Sequence, residues 1–262
     1  MMFGTRVYGF AAILLGLVGL AWGDFAAVWQ PVPPETPGRL TLAYAAAGLF
    51  LAAGLALQWR CSAALAAIAL AVLHLPFLFL WARRVIGFPE IMATWNGMAE
   101  QAAILLGALA VYACLRGESG RPLALAGRLG FGLCLVSFGT AHFFYVGETA
   151  AMVPAWLPPD TRFWALATGI FHLLAGFALL SGVLPLLATR LLTAMFLGFG
   201  LLVWLPILFA TPAEHFAWAG NAINLCLAAA AWAVADSVAR FGKAQEPADL
   251  STTLSDLPGT QP

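Results

Sequence analysis

The segment Trp95-Asn96-Gly97-Met98-Ala99-Glu100-Gln101 returns later in the chain as Trp218-Ala219-Gly220-Asn221-Ala222-Ile223-Asn224. A tryptophan, a glycine two residues on, an alanine and a closing amide recur in one order. Working outward, Leu73-His74-Leu75-Pro76-Phe77-Leu78-Phe79 is matched by Val203-Trp204-Leu205-Pro206-Ile207-Leu208-Phe209, and Gly19-Leu20-Ala21-Trp22 by Gly139-Thr140-Ala141-His142. The three matches keep their order and lie about 120 to 130 residues apart, the signature of a duplicated unit. In this register Trp204 replaces His74, Trp22 replaces His142, and Pro76 and Pro206 are equivalent.

The solvent of that unit is lipid. Hydrophobic residues make up 62% of the chain and charged residues 9%, against about 25% charged in soluble domains. Apolar runs of roughly 18 residues or more read as membrane-spanning helices. Eight occur, near 7–29, 40–58, 62–82, 97–115, 125–147, 163–185, 189–210 and 216–238. The expected fold is all-α: a polytopic membrane protein of eight transmembrane helices in two parallel four-helix repeats. The repeats span 1–116 and 128–242, with a Gly- and Arg-bearing linker at 117–127 and a polar tail at 243–262 expected to be disordered. The first run resembles a signal peptide, but it aligns with the fifth run, deep in the chain, so it is expected to be retained.

An even number of spans per repeat gives both copies the same orientation and a pseudo-twofold axis along the membrane normal. Placing the N-terminus inside puts Arg6, Arg60, Arg116, Arg121, Arg128, Arg190, Arg240 and Lys243 on that side, and Arg39, Arg83, Arg84 and Arg162 on the other. The excess of basic residues predicts that both termini are cytoplasmic. The net charge of zero offers no bulk attraction to nucleic acid. The lipid bilayer is the expected surroundings, with room for a membrane-protein partner. Cys61, Cys114, Cys134 and Cys226 have no C-x-x-C spacing and read as small apolar residues rather than a redox relay.

Small residues let helices approach in lipid, and 26 glycines serve this. Pro76 and Pro206 each remove a backbone donor within a span and predict kinks. The outer loops Trp29-Gln30-Pro31-Val32-Pro33-Pro34 and Val153-Pro154-Ala155-Trp156-Leu157-Pro158-Pro159 read as an interfacial belt or a cap over a site.

Ionisable and amide groups at membrane depth are functional candidates. His142, His172 and His74, with Glu100, Gln101, Asn221 and Asn224, all fall in the outer half or near the middle. The inner halves are almost entirely Leu, Ala and Gly. This asymmetry predicts pockets open to the outside rather than a through-channel. Gln101, Asn221 and Asn224 also read simply as interhelical hydrogen-bonders, and Glu100 as a paired or protonated carboxyl. No two histidines share one helix at ligand spacing, which disfavours haem, and no H-E-x-x-H, P-loop, dinucleotide fingerprint or G-x-S-x-G elbow is present.

The second copy resembles the DoxX-like membrane proteins. The resemblance rests on Gly139-Thr140-Ala141-His142-Phe143, on Val153-Pro154-Ala155-Trp156-Leu157-Pro158, and on the run from Gly169 through His172 to Leu180. It covers roughly 125–238 and reaches 5–115 only through the internal repeat. It implies four-helix units and a setting in respiratory or redox membranes, some members being similar to quinone-linked sulfur-oxidising subunits and others to assembly proteins. Where relatives carry a glutamate, this chain has His172, and the first copy is apolar around Leu49 and Phe50.

Together these readings point to an accessory or binding subunit rather than an enzyme. Its outward-facing pocket would be lined by His142, His172, Asn221 and Asn224 and would take a quinone-like or lipid-like molecule. A proton-coupled transporter using Glu100 and a purely structural assembly factor are the alternatives.

Overall fold

The computed structural model describes residues 2–242; the tail at 243–262 lies outside the described residues. Among the described residues the chain is helical and has no strand. Eight helices are long and apolar enough to cross a membrane. They are α1 (Phe3–Trp22), α2 (Arg39–Ala56), α3 (Ala63–Gly87), α4 (Met92–Leu115), α5 (Arg121–Phe144), α7 (Thr161–Ser181), the seventh span, and α10 (His215–Gly242). The seventh span is α8 (Pro185–Phe199), a π-helical stretch at Gly200–Trp204 and α9 (Leu205–Ala210). A short helix, α6 (Val146–Met152), precedes α7. The protein is an all-α, multi-pass membrane protein. The start of α1 and the end of α10 lie on one face, the terminal face; the other is the loop face.

The first span stops at Trp22 rather than near residue 29. Gly23 takes a left-handed backbone at φ 61°, which glycine tolerates and which closes the helix. The chain then folds back into the protein. Phe25, Ala26 and Trp29 are buried. The Trp29 carbonyl accepts from the indole of Trp81 at 2.9 Å and from the Gln101 amide at 3.0 Å. Its ring packs on Trp204 and Phe216. This loop is a plug, not an interfacial belt. The second loop differs: Trp156 is 71% exposed, and α6 has no buried residue.

The halves pack by one plan. Helix α1 pairs with α2 as α5 pairs with α7, and α3 with α4 as the seventh span with α10. Across the halves, α5 lies on α4 and α1 lies on α10, while α4 and α10 pack on each other. Exchanging the halves leaves this pattern unchanged. A Cβ on Gly107 would stand 2.5 Å from that of Ala230. Counted from Trp95 and Trp218, these are the same position, so the exchange axis passes between them. The bundle therefore interlocks, because each half sets its first helix against the last helix of the other.

Side-chain contacts set a register that differs in two places from the sequence matches. The Trp81 ring covers Gly97 and the Trp204 ring covers Gly220, so Trp81, not His74, corresponds to Trp204. Gly9 meets Gly54 backbone to backbone as Gly132 meets Gly176, and Gly16 lies on Ala47 as Gly139 lies on Gly169. Gly19, not Trp22, therefore corresponds to His142. Both errors are close to whole helical turns, which an apolar helix of repeating composition tolerates on paper because each turn presents nearly the same face. With the register corrected, the segment Phe196–Trp204 is one residue longer than its counterpart His74–Trp81. The π turn absorbs the extra residue, Leu205 N–H bonding to the Gly200 carbonyl.

Three spans begin with the same lock. The indoles of Trp95, Trp164 and Trp218 donate to the carbonyls of Pro89, Pro158 and Pro212, at 2.8 to 2.9 Å. Each fixes the entry of the loop into α4, α7 or α10.

Candidate functional site

The six candidate residues separate into three groups. His142 and His172 come together from α5 and α7, with ring centroids 5.1 Å apart and planes tilted by 43°. The close approach requires Gly169, since a Cβ there would stand 2.8 Å from that of His142. His142 Nδ1 lies 3.0 Å from the Ala165 carbonyl and 3.2 Å from the Thr168 hydroxyl. His172 Nδ1 lies 2.9 Å from the Thr168 carbonyl. A carbonyl only accepts, so both Nδ1 atoms carry the proton and both Nε2 atoms of the neutral rings are acceptors. His172 is 1% exposed, ringed by Phe138, Phe196 and Phe199. Its Nε2 has no hydrogen-bond partner. A buried acceptor left unpaired costs about 1–3 kcal/mol; Gln30, Arg128, Ser137 and His215 also bury an unpartnered side-chain atom, and His172 Nε2 is the one that belongs to the histidine pair.

Asn221 and Asn224 form the second group, and their amide nitrogens are engaged. Asn221 Nδ2 donates to the Trp204 carbonyl at 2.8 Å and Asn224 Nδ2 to the Phe196 carbonyl at 3.0 Å. Both bonds tie α10 to the irregular seventh span, where the π turn and Pro206 disrupt the usual ladder. The four residues expected to line one pocket thus fall into two pairs, the histidines between α5 and α7 and the asparagines between α10 and the seventh span.

Glu100 and Gln101 are neighbours in sequence but leave α4 about 100° apart. Gln101, fully buried, accepts from His74 Nδ1 at 3.0 Å and donates to Trp29. Together with Trp81 this is a closed network in the first half. Glu100 accepts from Asn96 at 3.2 Å. The contacts Ala93–Tyr145 and Leu106–Gly130 set α4 against α5 in antiparallel register, which brings Glu100 level with Ser137.

The halves place their histidines on opposite sides of one equivalent seam. In the first, Phe50 on α2 packs on His74 of α3 at 5.1 Å; in the second, His172 on α7 packs on Phe196 of α8 at 5.6 Å. The amide that meets His74 is Gln101. Its counterpart Asn224, with no imidazole to meet, takes the Phe196 carbonyl instead. Likewise Gly19 against Ala47 becomes His142 against Gly169, the larger residue moving to the other helix. Where the second half has His142, Thr168 and His172, the first has Gly19, Ala46 and Phe50. A cavity of about 10 Å³ remains there, edged by Asp24, Gln30 and His215. The reciprocal exchange of large and small partners was invisible in sequence because each pair spans two helices.

One polar cluster escaped the sequence reading. Arg190 and Asp236 face a groove of about 410 Å³ between α8 and α10 at the terminal face. The inner halves are therefore not uniformly apolar. The signal was present, since each is a charge a few residues inside a span end. No family model, curated protein or solved structure matches the chain.

Proposed function

We propose that the chain is a tandem DoxX-like protein of a bacterial inner membrane, with both termini cytoplasmic, acting as an accessory or binding subunit. Its second half holds a small amphipathic molecule at the His142–His172 pair. The observation that carries this reading is the bare Nε2 of His172. Because both Nδ1 protons are spent on backbone carbonyls, the pair offers lone pairs and no donors. A ligand that brings its own hydroxyl proton suits it: a quinol rather than the oxidised quinone, within the quinone-like class. Phe138, Phe196 and Phe199 supply apolar walls for a ring. Two asymmetries favour the second half. The first half's loop is plugged by Trp29, while α6 and Trp156 stay outside the core. The first half's histidine spends its Nδ1 on a side chain, Gln101, in a network that also holds Trp29 and Trp81.

The orientation rests on the bias of basic residues to the terminal face. The exposed Cys61 tests it after the other three cysteines are replaced. A membrane-impermeant maleimide should label it from the cytoplasmic side only, and labelling from outside would reverse the assignment.

The ligand reading is tested with purified protein and a short-chain ubiquinol and its oxidised form. The quinol should bind more tightly than the quinone. His172→Phe, which installs the first half's Phe50, should abolish binding while leaving the thermal midpoint unchanged or higher. Equal binding of both redox forms, or binding undiminished in His172→Phe, would sink the reading.

A further inference from the structure

We infer that the groove between α8 and α10 at the terminal face is a binding site for one phospholipid with a phosphoethanolamine headgroup. The groove, about 410 Å³, falls within the usual size of small-molecule sites. It is lined by Arg190, Thr193 and Leu197 on one side and by Trp232 and Asp236 on the other. Arg190 is five residues into α8, and Asp236 is six residues from the end of α10. At about 1.5 Å per residue both charges lie roughly 8 to 9 Å inside the helix ends, at headgroup depth.

Arg190 and Asp236 make no direct ion pair with each other. The ion pair Asp24–Arg39 is the one salt bridge among the described residues, so Arg190 and Asp236 stand apart across the groove. Asp236 receives the Gly4 N–H at 3.0 Å on one oxygen, leaving the other for a second donor. The Thr193 hydroxyl is committed to the Thr189 carbonyl. The wall beside Asp236 is closed by the start of α1, where Gly4 lies so near that a Cβ would stand 2.6 Å from the carboxylate, and by Phe3 against Trp232.

One cation and one anion, separated and facing the same space, match a headgroup that carries both signs. The guanidinium takes the phosphate oxygens in its planar fork, and the carboxylate takes the primary ammonium. Leu197, exposed toward lipid, continues the groove along α8 as a track for an acyl chain, and the indole of Trp232 sits at the boundary such rings prefer. An anionic lipid would satisfy Arg190 but set its surplus charge against Asp236. The corresponding residues in the first half are Ile68 and Ala113, so the first half lacks this pair of charges.

The test is native mass spectrometry of the full chain exchanged into equal mixtures of phosphatidylethanolamine and phosphatidylglycerol, with thermal midpoints as the folding control. One phosphatidylethanolamine should be retained per chain, at least about tenfold over phosphatidylglycerol, as one charge-assisted contact implies. Arg190→Gln should lose retention of both lipids. Asp236→Asn, whose amide oxygen can still accept from Gly4, should keep binding but lose the preference. Equal retention of the two lipids by the native protein overturns the proposal, as does undiminished retention in Arg190→Gln. If Arg190→Gln does not fold, Asp236→Asn alone decides. Displacement of the lipid by free phosphoethanolamine would assign the groove to a soluble phosphate ester and overturn the lipid.

Discussion

His74 and His172 are both buried imidazoles whose Nδ1 donates, yet they should respond oppositely to substitution. His74→Phe leaves Gln101 Oε1 without its donor inside the bundle and should destabilise by about 1–3 kcal/mol. His172→Phe leaves only a backbone carbonyl already within a helix and removes an unpaired lone pair, so the midpoint should hold or rise. Thermal or denaturant unfolding of the two variants side by side checks the sign of the difference. Two glycines provide a second test at this scale. Gly97→Ala and Gly220→Ala each drive a methyl into an indole, with the added Cβ at 2.5 Å and 1.9 Å from Trp81 and Trp204 respectively. Each should cost about 1–3 kcal/mol by overpacking. Pairing either with Trp→Leu at the matching tryptophan should recover part of the loss, measured as a double-mutant cycle.

The seventh span is the element on which the halves differ most. Its π turn holds one residue more than the first half has between His74 and Trp81. Deleting Leu202 should let the span run as a continuous helix and still seat Trp204 over Gly220. Deleting Leu78 from the third span, which has no such surplus, should pull Trp81 off Gly97 and turn everything after it by about 100°. Yield of folded monomer and thermal midpoint separate the two deletions. Equal damage would mean that the π turn is not a simple insertion. Its neighbour Phe199 covers His172, so the Leu202 deletion should also alter ligand binding, whereas a plain stability change would leave affinity per folded molecule intact.

At the scale of the molecule, the two halves interlock. Helix α1 is completed by α10, and α5 by α4. Residues 1–116 expressed alone should therefore be unstable in detergent, and co-expression with 117–262 should restore a complex that co-purifies. Gly107→Leu, placed where the two halves meet near the exchange axis, should weaken that complex more than the same change at the lipid-facing Gly48, which has nothing within 4 Å of an added Cβ. Recovery of a stable first half on its own would show that each repeat is a self-sufficient bundle.

The sequence by itself determined the class, the number of spans and the even count that gives both halves one orientation, because lipid imposes length and polarity on every residue of a spanning helix. It also marked His142, His172, Gln101 and Asn224 as unusual, since a polar group at membrane depth has few cheap explanations. The tertiary structure decided which of them act together. Gln101 went to His74 and Asn224 to a carbonyl of the seventh span, while the two second-half histidines were brought against each other. It also decided the register between halves and the folding-in of Trp29. The physical reason is common to all three. Apolar helices rich in Ala, Leu and Gly offer nearly equivalent faces at every turn, so pairing is fixed by close contacts such as Trp81 on Gly97 or His142 on Gly169. Those contacts are made between helices and leave no periodic trace within either one.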